Sequence, residues 1–412
     1  VSRSASLGAR PASTRQHHRV VIVGGGQAGI SVAARLRRAG VDDVALVEPS
    51  PLHCYQPLWT LVGGGLVEMT KTVRGQASFI PKGVTWILDS AVSVDPVQQH
   101  LTTTRGRVLS YDRLVMAPGI QLDWDATPGM PEAMRTPFAS SNYDLRLAPK
   151  TWEVMRDLRG GTALFTMPAG AIKCPGAPQK IAYLCADHWR ARGVLRDIQV
   201  VLAMPGGGLF GVPVFARALE SAVKKYGIDV RFNTEVTEID GDSRKVSVLD
   251  TATGVTDVIS YDALHVAPRQ SAPDWIKASP LADATSPAGF VEVDKHTLQH
   301  VRFPSVFALG DAGNTPNSKT GAAVRRQAPV VAANLLASLR NRPLQARYDG
   351  YAACPFTTAR NRMVLAEFDY TLQPRPSLPL IDTTRERYDM WLLKRYGLPW
   401  LYWHLLLRGY GI

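Results

Sequence analysis

Residues 19–40, RVVIVGGGQAGISVAARLRRAG, restrict the fold more than any other stretch of the chain. Val20 to Val23 form a short β-branched run, and Gly24, Gly26 and Gly29 fit the pattern G-x-G-x-x-G. The residues after them keep a helical period. The next apolar run, DVALVEP, brings Glu48 to its end, 19 residues after Gly29. Together these predict a strand, a tight turn, a helix and a second strand. The glycines permit the turn and a close backbone approach. The helix N-terminus faces a pyrophosphate, and the carboxylate takes the ribose hydroxyls.

Two later segments point to FAD rather than NAD as the dinucleotide. SYDRLVMAPG, residues 110–119, is a strand ending in a small-residue turn. It resembles the segment that returns the chain to the first domain in flavoproteins with two dinucleotide-binding domains. FPSVFALGDAG, residues 303–313, delivers Asp311 at a strand end, where that superfamily contacts the ribityl–phosphate part of FAD. The expected fold class is therefore α/β, with two Rossmann-like domains and a C-terminal membrane-interface region. The middle of the chain predicts a second unit: a strand at 162–167, a helix at 177–192 and the strand DIQVVLAMP. No glycine fingerprint follows its first strand, and its later strand ends in Met204-Pro205 where a nicotinamide dinucleotide would want an acid. The unit is expected to keep its architecture without a nucleotide site.

The chain then divides into an arm (1–18), the first part of the FAD-binding domain (19–120), the second Rossmann-like domain (121–290), the rest of the FAD-binding domain (291–345) and a C-terminal region (346–412). It carries 47 Lys and Arg against 35 Asp and Glu, a formal charge of +12. Such an excess favours an acidic partner, and a membrane surface comes first. Nucleic acid is not expected, since no paired Cys/His zinc spacing and no aromatic RNA-binding pattern is present. The arm holds Arg3, Arg10 and Arg15 and no acid. It reads as the stub of a mitochondrial targeting segment or as a disordered bacterial extension, and it lacks the apolar core of a secretory signal. The four cysteines, Cys54, Cys174, Cys185 and Cys354, form no CxxC pair. Neither a metal site nor a secreted disulfide scaffold is expected.

The thiols carry the chemistry. In AIKCPGAPQK, residues 171–180, Cys174 precedes a proline, a glycine and then the helix that bears Ile181, Cys185 and Trp189. A thiol near a helix N-terminus, with Lys173 and Lys180 close in sequence, is expected to be acidified and therefore nucleophilic. Cys185, in mid-helix among apolar residues, is expected to be structural. SKTGAAVRRQAPVVAANLL reads as a turn entering a helix. Lys319, Thr320, Gly321 and Ala322 would place a cation and free N–H groups at the flavin edge where negative charge grows on reduction.

The segments IKCPGAPQKI, LFGV, LHVAP, SPLADA, VDKHTLQH, GDAGNTPNSKTGAA, YDGYAACP and LAEFDY resemble the sulfide:quinone oxidoreductase family, most closely its mitochondrial-like branch. The likeness runs from about residue 19 to the end. It implies that Cys174 and Cys354 are the catalytic cysteine pair beside the flavin. Hydrogen sulfide attacks a disulfide or trisulfide bridge between them. Cys354 keeps the sulfane sulfur as a persulfide, and Cys174 leaves as the thiolate that reacts with the flavin. A small acceptor (sulfite, glutathione, coenzyme A or sulfide) then removes the sulfur, and two electrons pass through FAD to a membrane quinone, expected to be ubiquinone. The same resemblance puts Gly26 and Gln27 at the pyrophosphate, Gln56 at the isoalloxazine or ribityl part, and the Ala91 backbone at the adenine. For Cys54 two roles stay open: a covalent tether for the flavin, as in flavocytochrome sulfide dehydrogenases, or packing beside it.

The chain closes with RYDMWLLKRYGLPWLYWHLLLRGYGI. No apolar stretch reaches the ~20 residues of a spanning helix. Leu398 to Leu407, flanked by Lys394, Arg395 and Arg408 and started by Pro399, has the composition of an interfacial anchor. The alternative is a helix packed on the domain or on a second copy, so a homo-oligomer stays open. Deleting residues 385–412 is expected to free the protein from membranes and leave FAD bound. The expected place is the surface of a bacterial cytoplasmic or mitochondrial inner membrane. Two rival functions remain: a type II NADH:quinone dehydrogenase, and a non-catalytic flavin-stabilised scaffold or sulfide carrier.

Overall fold

The computed structural model describes residues 15–411. Strand β1 (Arg15–Val23) leads into helix α1 (Gln27–Arg38) and strand β2 (Val44–Val47). β1 begins earlier than its apolar run, because Arg15 to His18 pair with a neighbouring strand. The expected arm is thus too long by the residues 15–18; the rest of it lies outside the described residues. β3 (Val84–Ile87) and β4 (Val108–Met116) flank this core, giving the parallel order β3-β2-β1-β4. An antiparallel pair, Ala91–Asp95 and His100–Thr103, extends the sheet beyond β4. The strands are continuous apolar runs because both faces are covered, one by helices and the other by residues 272–293: Val20, Val21 and Ile22 are wholly buried.

The second unit repeats the plan. β5 (Gly161–Thr166), α2 (Ala177–Ala191) and β6 (Ile198–Ala203) sit in a parallel five-stranded sheet. Ile181, Cys185 and Trp189 are buried as expected, but so are Gln179, Lys180 and Asp187. The helix is enclosed on nearly every side rather than amphipathic. The chain then returns to the first sheet through β7 (Val306–Ala308), which pairs with β4 and delivers Asp311 in the following turn. Helix α3 (Gly321–Leu339) packs beside α1. The hairpin β8 (Ala352–Ala359) and β9 (Arg362–Phe368) lies against α2, with Cys354 opposite Ala366. A broken helical segment follows: Tyr388–Leu392, a π-turn over Leu393–Gly397, Leu398–His404, and a last turn at Leu406–Arg408.

Candidate active site

The first turn is built to receive a dinucleotide. Gly24 has φ +97°, a conformation that strains any residue with a Cβ, and such an atom would run into the carbonyl of Ala117. A Cβ at Gly29 would strike the carbonyl of Gly24, so only glycine lets α1 approach β1 this closely. Around Gly26, by contrast, nothing lies within 4 Å of where a Cβ would stand. No side chain caps α1 at Gly26, so its first N–H groups are free to bind an anion. Glu48 Oε2 accepts from Gly25 N at 2.6 Å and Oε1 from Ser50 N at 2.7 Å. Each oxygen keeps a lone pair for a ribose hydroxyl. Asp311 is half-buried, and burial pushes its carboxyl up against the opposing pull of Lys319 and Lys173. A donor such as a ribityl hydroxyl would relieve that cost. These features fit FAD.

Thr320 caps α3, its hydroxyl accepting from Ala323 N at 3.2 Å, and Gln27 Nε2 donates to Gly321 O at 2.8 Å. Gln27, Gly321 and Ala322 therefore stand together where α1 meets α3. Lys319 departs from the expectation of a free cation. Its ammonium donates to Asp311 O at 2.8 Å and Gly313 O at 2.7 Å and lies over the Phe290 ring. Burial lowers it to about 8. It braces the Asp311 turn, with one donor left over. Gln56 is exposed, and Ala91 is buried at the start of its strand. The residue that reaches the turn is Gln76, whose Nε2 donates to Gly25 O at 2.8 Å. No motif marked it; only the fold brings residue 76 under the glycines.

Where a second dinucleotide turn would stand, a ten-residue loop carries Cys174 at φ +47°. Four bonds hold this strained conformation. Cys174 N donates to Lys319 O, and Cys174 O accepts from Ala177 N and from the Tyr143 hydroxyl. Lys180 Nζ, buried one turn into α2, donates to Cys174 Sγ at 3.2 Å. Beyond the end of β5, Thr166, Met167 and Arg269 edge a crevice of about 10 Å³, room for about one water.

Cys174 and Cys354, remote in sequence, come close enough in the fold for each to shift the other's titration. Gly176 makes this possible: a Cβ there would lie 2.8 Å from Cys354 Sγ. The two thiols are polarised in opposite directions. The hydrogen bond from Cys354 holds Cys174 well below the usual thiol range, and Lys180 and Lys394 add to this against the cost of burial. Burial, together with the bond to Cys174, holds Cys354 well above it. Lys180 stays charged: burial opposes the ammonium, but the thiols raise it further. At about 3 Å and an effective dielectric of ~20, such a pair gains roughly 5 kcal/mol. That is comparable to the cost of desolvating the two ions.

Lys394 corrects an expectation. Instead of flanking an anchor it is buried, donates to Pro57 O at 3.1 Å and faces the thiol pair. Burial first, then Lys180, lowers it to about 7. Burial pushes Cys54 up, with Lys173 pulling the other way, so it stays a protonated thiol, which suits packing better than covalent attachment.

A family model described as pyridine nucleotide-disulphide oxidoreductase matches residues 18–159 and 181–327. The match breaks over the stretch that holds the Cys174 loop. The mitochondrial sulfide:quinone oxidoreductase of Mus musculus is 42% identical over 402 residues, 97% of this chain and 88% of its own length. That of Dictyostelium discoideum is 40% identical over 394 residues, 95% of this chain and 86% of its own. The solved sulfide:quinone oxidoreductase of Aquifex aeolicus shares the fold, with TM-score 0.81 at 21% identity over 96% of this chain and 92% of that one.

Proposed function

The chain belongs to the pyridine nucleotide-disulphide oxidoreductases and, among them, to the sulfide:quinone oxidoreductases, and from that premise we propose how its residues carry out the reaction. It is an FAD-dependent enzyme that oxidises hydrogen sulfide and reduces a quinone. FAD, when bound, takes two electrons from the sulfur centre and passes them to the quinone.

The Lys180 ammonium, 3.2 Å from Cys174 Sγ, carries the assignment of roles, since it singles out Cys174 as the sulfur whose negative charge is held. With a bridge between the two sulfurs, hydrosulfide attacks the Cys354 sulfur. A new S–S bond forms there, the bond to Cys174 breaks, and Cys174 departs with the electron pair as thiolate. The more acidic thiol leaves faster, and Lys180 stands ready to hold its charge. Cys354 keeps the persulfide, from which sulfite, glutathione, coenzyme A or a second sulfide takes the sulfane sulfur. Gly26, Gln27, Glu48, Asp311 and the start of α3 from Thr320 to Ala322 would hold the cofactor, with Lys319 bracing the Asp311 turn.

Among the described residues no helix is long and apolar enough to cross a membrane. The quinone is met at the protein's surface. Tyr388, Leu392, Tyr396 and Trp400, four residues apart, are exposed along the outer side of the C-terminal segment, and Leu380, earlier in the sequence, is 99% exposed. This row, rather than Leu398 to Leu407 as a whole, is the membrane-facing element: Tyr402, Trp403 and Leu407 are buried against the FAD domain. The mitochondrial relatives favour the mitochondrial inner membrane type. An assay with sulfide and a short-chain ubiquinone tests the assignment. Sulfide should bleach the flavin and quinone should restore it. Bleaching by NADH faster than by sulfide would favour an NADH dehydrogenase instead.

A further inference from the structure

The C-terminal segment does more than present an exposed row. Its inner side is tied to the glycine turn by a continuous hydrogen-bonded chain. The Tyr402 hydroxyl lies 2.6 Å from His53 Nε2, His53 Nδ1 lies 2.9 Å from Gln76 Oε1, and Gln76 Nε2 lies 2.8 Å from Gly25 O. His53 and Gln76 are 2% and 1% exposed, and Tyr402 3%. The direction of every bond follows from the last one. A carbonyl only accepts, so Gln76 turns its amide nitrogen to Gly25 and its oxygen to His53. Nδ1 of His53 must then carry the proton, Nε2 is the acceptor, and the Tyr402 hydroxyl donates to it. Burial lowers the imidazole, which keeps it neutral.

The chain ends on one peptide plane. The Gly25 carbonyl and the Gly26 N–H belong to the same planar unit and point opposite ways. Holding the carbonyl fixes the direction of the N–H. Glu48 pins the other side of Gly25 through its N–H. Residues 402–410 also hold α1 itself: Ser31 Oγ donates to Leu406 O at 3.2 Å, Arg35 donates to Tyr410 O at 3.1 Å, and Gly409 passes so close to Ala34 that a Cβ would crowd its backbone at 3.0 Å.

We propose that Tyr402 is a positioning residue for the cofactor: acting through His53 and Gln76, it fixes the Gly25 peptide, so the C-terminal segment clasps the turn that receives the pyrophosphate. The clasp is independent of whether the outer row meets lipid.

FAD release from the holoenzyme, followed by the fluorescence of free flavin, tests it. Tyr402→Phe keeps the ring against Tyr55 and Trp403, at 4.3 and 4.9 Å, and removes only the donor. Release should quicken about tenfold, the effect of losing one buried hydrogen bond. In a His53→Gln background the same substitution should add little, since the chain is already cut. Trp400→Ala, on the outer side, should leave release unchanged. Unchanged release in Tyr402→Phe with a lowered unfolding midpoint would overturn the proposal, as would full additivity with His53→Gln. Where Tyr402→Phe yields no holoenzyme, amide exchange in the wild-type protein serves. Bound FAD should slow exchange in residues 398–410, and equal exchange with and without FAD counts against the clasp.

Discussion

The two Rossmann-like units begin alike and diverge at the first turn. After β1 the chain needs only Gly24 to Gly26 to reach its helix, and it leaves the helix N-terminus uncapped with open space beside it. After β5 it spends residues 167–176, folds Cys174 back so that its carbonyl takes Ala177 N, and closes a glycine-sized gap against Cys354. One turn admits a pyrophosphate; the other fills the same place with sulfur and a buried ammonium. The lesson is that a dinucleotide unit can be converted to thiol chemistry without changing its strands. The helix terminus that would have faced phosphate carries Cys174 just before it instead, with Lys180 Nζ 3.2 Å from its sulfur.

The largest test of this contrast is deletion of residues 385–412. That change removes Lys394 from the thiols and Tyr402 from the glycine turn, so sulfide oxidation and flavin retention should both fail along with lipid contact. A truncated protein that stays yellow and active would break the contrast between an outer and an inner side of the segment. Cys174→Ser and Cys354→Ser come next. Each should lower sulfide-dependent quinone reduction by roughly a thousandfold or more and leave FAD bound, read by absorbance. Gly29→Ala should do the reverse. Its Cβ would strike Gly24 O, so flavin content should fall while the thiols stay reactive.

Smaller effects separate the two lysines. Lys180→Met removes the ammonium 3.2 Å from Cys174. The folded thiol pKa, held low by Cys354 and the lysines, then rises, and the pH at which Cys174 alkylation by iodoacetamide is half-maximal should move up. Lys394 loses its proton near 7. The charge facing the thiols therefore falls as pH rises through that point. Lys394→Met should remove an inflection in alkylation rate between about pH 6 and 8, and an unchanged profile would take Lys394 out of the site. Smallest is the outer row: Trp400→Ala should weaken binding to anionic phospholipid vesicles by about 2 kcal/mol or less, measured by co-sedimentation, with alkylation unaffected.

The first turn was legible in the sequence because its constraint is local. A Cβ at Gly29 would strike Gly24 O, five residues back, and Glu48 lies one strand away; the further demand on Gly24, from the Ala117 carbonyl, comes from a distant strand end. The second unit was legible through its strands and through what it lacked. Lys180 was visible as a neighbour of Cys174, one helical turn into α2. Lys394 and Gln76 were not. Each reaches its place by a long excursion of the chain, and nothing in the residues around them marks the destination. Cys354 was found by likeness to a family and not by spacing. Which side of Leu398 to Leu407 packs was not legible for a related reason: composition does not decide it, and the fold buries Tyr402, Trp403 and Leu407 while Trp400 stays exposed.

The doubly wound fold and the glycine turn could be read from the amino-acid sequence, because they follow from backbone sterics and short-range order, whereas the pairing of Cys174 with Cys354 was read from a family resemblance. The tertiary structure added what the sequence left open: Lys180 Nζ stands 3.2 Å from Cys174 Sγ, and Lys394 is brought to the same thiols from the C-terminal segment. It likewise decided that a tyrosine near the chain end supports the flavin turn. Electrostatics and hydrogen bonding act through distance in space, and for these groups that distance is set by packing rather than by position along the chain.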